Sequence, residues 1–168
     1  MTTVISILGA TIALVEVGFV IYKYCKETTR KRRSETIAIY NKIFNDIYAL
    51  LDEYKKKTNK SLFVSEDIRN NPDIYKAVMN NLTLIESFAK GLEYEVYDFK
   101  TFVYLTPNEL FEILNSLKQF VYDERKLKSY ELLFNDFISL TDVMSLCIQA
   151  KLKGKKIKFT YSGIKKVQ

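Results

Sequence analysis

The sequence predicts an all-α protein in which a single N-terminal transmembrane helix precedes a compact bundle of four to five helices. Three observations predict it. The run from Val4 to Tyr22, VISILGATIALVEVGFVIY, carries one charge, Glu16, and at 1.5 Å per residue reaches about 28 Å, close to the hydrocarbon thickness of a bilayer. Only five glycines and two prolines occur in 168 residues, which suits long helices and disfavours a turn-rich β-fold. Beyond the run, apolar residues recur at helical spacing. The chain thus divides into an anchor and basic juxtamembrane segment (1–33, spanning at 4–22), a helical cytoplasmic domain (34–153) and a basic tail (154–168).

The run has no basic segment before it and no small-residue cleavage site after it, so it reads as a retained anchor. Lys23, Lys26, Arg30, Lys31, Arg32 and Arg33 follow it at once. The positive-inside rule then places the N-terminus outside and residues 23–168 in the cytoplasm. These six cations are the expected membrane-surface contact, each contributing about 1 kcal/mol beside anionic headgroups.

Within the run, Ile5, Gly9, Ile12, Glu16 and Phe19 follow 4-3-4-3 spacing, and Ala13 flanks the same face. Gly9 and Ala13 form a small-xxx-small step that lets helices approach closely. Gly9, Ala13 and Glu16 are therefore the expected helix-association face, with Glu16 hydrogen-bonding across it; the competing reading is a tolerated carboxylate reaching for headgroups. The same phase lands on Lys23, Lys26, Arg30 and Arg33, and four like charges on a seam oppose a tight parallel coiled coil. Cys25 sits where acylation is chemically feasible, although an unmodified thiol is the simpler reading.

The net charge of +6 is unevenly distributed. Residues 1–33 carry +4, residues 34–150 carry −5 and residues 151–168 carry +7. A nucleic-acid-binding domain should be basic itself, so no nucleic-acid partner is expected.

In the cytoplasmic part, Ser34 is the expected cap of a helix whose face holds Ile37, Tyr40, Ile43, Phe44, Ile47, Leu50, Leu51 and Tyr54. Ser65–Asp67 suggests a short helical turn. Pro72 suits the first turn of a helix that carries Ile74, Val78, Leu82, Ile85, Phe88 and Ala89 and stops at Gly91. Asp98 can cap FKTFVYL, for which a strand reading stays open. Thr106-Pro107 restarts a helix to Lys126, and a last one is expected over 129–152 with Leu132, Leu133, Phe137, Leu140, Val143, Met144 and Cys147 on its apolar side. The lysine-rich tail reads as an edge strand, a disordered end or a membrane-contacting segment.

Residues 65–145 hold a Glu-x-x-Ala-x-Gly step at Glu86, Ala89 and Gly91, a Tyr-Asp step at Tyr97-Asp98, a helix ending in Arg125, and a Tyr-x-x-x-Phe segment at Tyr130 and Phe134. In these steps the stretch resembles the bacterial domain-of-unknown-function 4760 family. The glycine expected just before the Tyr-Asp step is Glu95 or Val96 here. The resemblance implies an anchored helical domain and brings no activity with it.

Glu86 and Arg125 are the strongest candidates for a polar pair inside the domain, as a structural ion pair or, less simply, a ligand-binding or catalytic pair. Asp98, Asp123 and Glu124 lack metal-ligand spacing and read as a solvated face. The chain has no histidine, which removes the commonest general base and most zinc sites. It has no glycine-rich phosphate loop, GxSxG, HExxH or CxxC, so neither catalysis nor a cofactor is expected. The expected function is a membrane-tethered interaction or oligomerisation module on the inner face of a bacterial plasma membrane, binding itself or a protein partner. The alternative is a membrane-disrupting effector of a defence or toxin system, gated by the cytosolic domain.

Overall fold

The computed structural model describes residues 2–152, with side chains from Glu16 to Gln149. The described chain is all helical: α1 (Thr2–Thr58), α2 (Ser65–Asn70), α3 (Pro72–Glu93), α4 (Phe99–Leu105), α5 (Asn108–Lys128) and α6 (Asn135–Leu152). Among the described residues no helix is long and apolar enough to cross a membrane. Of the run 4–22, the described side chains are those of 16–22; the side chains of Gly9 and Ala13 and the whole tail from Lys153 lie outside the described residues.

The largest departure from expectation is α1. The helix expected to begin at Ser34 is continuous with everything before it, so Ser34 is an exposed mid-helix residue and caps nothing. No glycine or proline falls between Gly18 and Thr58, and the polar stretch carries its own helical supports. Thr29 and Thr36 donate to the carbonyls of Cys25 and Arg32 at 2.9 and 2.7 Å, and Lys31 faces Glu35 one turn on. The helix ends where Asn59 turns left-handed (φ 56°) and its N–H bonds Lys55 O.

The bundle assembles on the C-terminal half of α1. Ile43, Phe44, Ile47, Leu50, Leu51 and Tyr54 are buried as their spacing predicts, whereas Ile37 stays exposed. α3 is the central helix, packing on α1, α2 and α6, while α4 lies on α1 and α5 against α2 and α6. Rings from three elements meet at the upper core. Phe102 of α4 packs edge-on to Phe88 of α3 at 5.3 Å and stacks with Phe44 of α1 at 6.1 Å. Each such pair adds about 0.5–1.5 kcal/mol beyond its burial.

Several expected boundaries hold. Asn71 and Pro72 start α3, with Ile74 N–H donating to Asn71 Oδ1 at 3.2 Å. Asp98 caps α4, accepting from Thr101 N–H at 2.7 Å, so FKTFVYL is helix rather than strand. Others move. α3 runs past Gly91 to Glu93, and Gly91 serves for space instead of as a stop: a Cβ there would lie 2.5 Å from the Tyr97 ring. Thr106 closes α4 by donating to Phe102 O, leaving Pro107 to precede α5.

The last helix begins at Asn135, not Ser129. Residues 129–134 form a turn in which Ser129 (φ 56°) and Phe134 (φ 53°) are both left-handed. Leu132, expected on the apolar side, is instead 79 % exposed, and Leu133 is half-buried.

At the lower end, the buried Tyr54 hydroxyl donates to Asp67 Oδ2 at 2.8 Å and accepts from Val64 N–H at 3.1 Å. Lys60 bonds the same carboxylate at 2.6 Å. Lys60 first, then Tyr54, hold the Asp67 carboxyl below its usual range. A depressed folded value means that the stabilisation is present above the unfolded carboxylate value, about 3.9, and is lost as pH falls through the folded one. Between pH 6 and 2, Asp67→Asn should therefore flatten the acid fall in the urea midpoint; a profile parallel to that of the parent chain would contradict this.

Candidate functional site

Two regions emerge: a projecting stem, and a polar seam that closes the bundle. The stem is α1 from Glu16 to Arg33. Val17, Phe19, Val20, Ile21, Tyr22 and Tyr24 are each more than half exposed, and a Cβ placed on Gly18 would meet nothing. Among the described residues, these six large apolar side chains are thus left largely uncovered. Glu16 is exposed among them.

The cations follow directly. Lys23, Lys26, Arg30, Lys31 and Arg33 are exposed, with Lys26 over the Tyr22 ring at 6.0 Å. Arg32 differs from the other five. It reaches the bundle, where its guanidinium lies 3.5 Å from Glu95 on the turn after α3. One turn further on, Thr36 is fully buried, and its hydroxyl accepts from Asp98 N–H at 2.8 Å while donating to Arg32 O. Tyr40 then donates to Leu105 O at 3.0 Å, and burial pushes its phenol up to about 12. Arg32, Thr36 and Tyr40 thus fasten the stem to both ends of the α4 segment. From Glu16 to Arg32, at 1.5 Å per residue, the stem stands about 24 Å clear of the bundle.

The polar seam does not contain the expected Glu86–Arg125 ion pair. Each side chain instead holds backbone of the α5–α6 connection. Glu86 accepts from the N–H groups of Asp136 and Phe137 at 3.1 and 2.6 Å, capping α6 from another helix. Arg125 Nε donates to Leu133 O at 2.8 Å, and its buried Nη2 has no partner. A carboxylate on a helix N-terminus satisfies two orphan N–H groups and complements the dipole, which explains a charge on the inner side of α3.

Sequence reasoning missed Glu124. It belongs to no solvated face: it is 2 % exposed and bonded to Tyr75 Oη at 2.9 Å and Lys128 Nζ at 3.0 Å, with Arg69 at 3.7 Å. Lys128 also bonds Tyr75, and this hydroxyl and the Glu124 carboxylate raise the ammonium above its ordinary value. The Glu124/Lys128 spacing of four was the available signal, but Tyr75 comes from α3 and Arg69 from α2. Asp98 and Asp123 serve elsewhere, Asp98 as the α4 cap and Asp123 as acceptor from Ser65. No cluster able to hold a metal occurs among the described residues.

Fold and stem together define the class: a stalked helical bundle whose stalk continues into its core. The chain belongs to the family described as Domain of unknown function (DUF4760), whose model matches residues 5–143. The match is wider than the 65–145 resemblance, because it takes in most of the apolar run and all of the stem. No curated protein and no solved structure matches the chain. The residues that carried the resemblance now have physical roles. Glu86 caps α6, Ala89 is buried, Gly91 makes room for Tyr97 and Asp98 caps α4. At the position of the expected glycine, Glu95 takes the left-handed conformation (φ 56°) that a glycine would adopt without strain.

Removing the Glu86 carboxylate should destabilise the bundle by about 1–2 kcal/mol, as for loss of a strong cap. In urea unfolding, Glu86→Ala should show this loss and Glu86→Gln should recover part of it through its amide oxygen. Equal midpoints for all three chains would contradict the capping role.

Proposed function

We propose that the chain is a membrane-tethered, non-enzymatic interaction module. In this reading residues 4–22 cross the inner membrane once, the N-terminus is outside, and the bundle is held in the cytoplasm. The observation that carries it is the uncovered row from Val17 to Tyr24, continuous with the apolar run and followed at once by cations. In water that row would be an unsupported exposed helix, whereas in a bilayer the same atoms face hydrocarbon and the cations face lipid phosphates. Interfacial Tyr22 and Tyr24 suit the headgroup layer. The exposed Glu16 favours self-association through Gly9, Ala13 and Glu16, since a carboxylate at that depth gains from a polar partner.

Fractionation tests the reading. Full-length protein should remain with membranes through an alkaline carbonate wash, and a chain lacking residues 1–22 should move to the supernatant. In mild detergent, Glu16→Ala should lower the crosslinked oligomer several-fold. Release of the full-length protein by the wash would overturn the proposal.

A further inference from the structure

We infer that the α5–α6 connection is a hinge through which two copies of this chain exchange α6, with α5, hinge and α6 becoming one continuous helix. The inference rests on a conflict between local sequence and observed conformation at residues 129–134. No glycine or proline occurs from Asn108 to Lys153, and KSYELLFN is composed largely of residues that a helix accepts. Yet the chain breaks there, with Ser129 at φ 56° and Phe134 at φ 53°. Neither is a residue that adopts the left-handed region freely, least of all a bulky phenylalanine. Short hinges held in such conformations are where domains exchange at low cost.

The closed form also leaves apolar surface in water at this end. Leu127 is 66 % exposed and Tyr130 63 %. If the turn becomes helical, Leu127, Tyr130 and Phe134 fall at 3-4 spacing on one face. Two such helices crossing at their hinges would cover that stripe with its own copy. What the closed form holds in return is the Glu86 cap and the Arg125 bond to Leu133 O. Both become dispensable, because a continuous helix supplies partners for those backbone groups itself.

The occupant is fixed by the face that opening exposes. α6 buries Phe137, Ile138, Leu140, Val143, Met144 and Cys147 against α3 and α5. Once released, that face fits the site vacated on α3 and α5, and the identical site exists on a second copy. The exchange uses a surface separate from Gly9, Ala13 and Glu16, and it stands whether or not residues 4–22 lie in a bilayer.

Lys118 on α5 pairs with Asp142 on α6, so a crosslink between these positions reports whose α6 is seated. The experiment uses full-length chains in detergent, in a Cys25→Ser/Cys147→Ala background. One chain carries Lys118→Cys and the other, differently tagged, carries Asp142→Cys; the two are co-expressed and treated with a short bismaleimide. Exchange predicts a covalent product bearing both tags, increasing with protein concentration. Ser129→Gly, which accepts φ 56° freely, should lower that product several-fold, and Ser129→Ala, which favours helix, should raise it several-fold. Ser129 is exposed, so neither substitution disturbs the core. Absence of a doubly tagged product at every concentration would overturn the inference, as would a product indifferent to both Ser129 variants.

Discussion

The backbone ladder of α1 carries a 57-residue rod from the apolar run, through the cations, into the aromatic core, where α3 and α4 pack on its C-terminal half and α3 in turn carries α2 and α6. The critical stretch is the single turn from Arg32 to Thr36. Before it, the described side chains of α1 are almost all exposed; after it, one face is buried down to Tyr54. Thr36 makes the transition by serving two backbones, donating to its own helix and accepting from the N–H of Asp98, the cap of α4. A buried hydroxyl with both capacities used costs little to bury. It also sets the axial position of α4, and through Phe102 the position of α3.

This arrangement separates two electrostatic environments along one rod. The stem carries six cations against two glutamates, Glu16 and Glu27, and near the bundle Arg32 and Lys31 engage acids. Farther down, charge is consumed within the fold: Lys60 with Asp67, and Lys128 and Arg69 with the buried Glu124. Exposed pairs of the first kind are worth little and are weakened by salt. The cluster around Glu124 is nearly dehydrated on its carboxylate side and ties α2, α3 and α5 together. Among the described residues, Lys23, Lys26, Arg30 and Arg33 of the stem form no ion pair, and they follow the apolar run directly.

Much of the bundle was legible in the sequence because the determining signals are local. The buried faces of α1 and α3, the Pro72 start and the Asp98 cap all follow from spacing and capping chemistry within one turn. Misreadings arose where the determinant is distant or ambiguous. A polar stretch such as 23–33 has no buried face, so periodicity gives no sign that it is helical, and Ser34 invites a false start. The beginning of α6 is set by Glu86, fifty residues upstream, so local patterning extended the helix back to Ser129. Glu86 and Arg125 bond to backbone atoms, which side-chain patterns do not reveal. Glu124 went unrecognised because its tyrosine and arginine partners lie on other helices.

The continuity of α1 across residues 23–34 is the claim on which the stalked architecture stands, and a distance measurement tests it most directly. Spin labels at Cys25 and at an Ala49→Cys substitution, with Cys147 replaced by alanine, flank the whole transition on exposed positions. Twenty-four residues of unbroken helix separate their backbones by about 36 Å. Pulsed dipolar spectroscopy of the full-length protein in detergent should give a narrow distribution centred near that value. A broad distribution, or one centred below about 30 Å, would mean that the stem and the bundle are joined by a flexible or bent segment and would contradict the account.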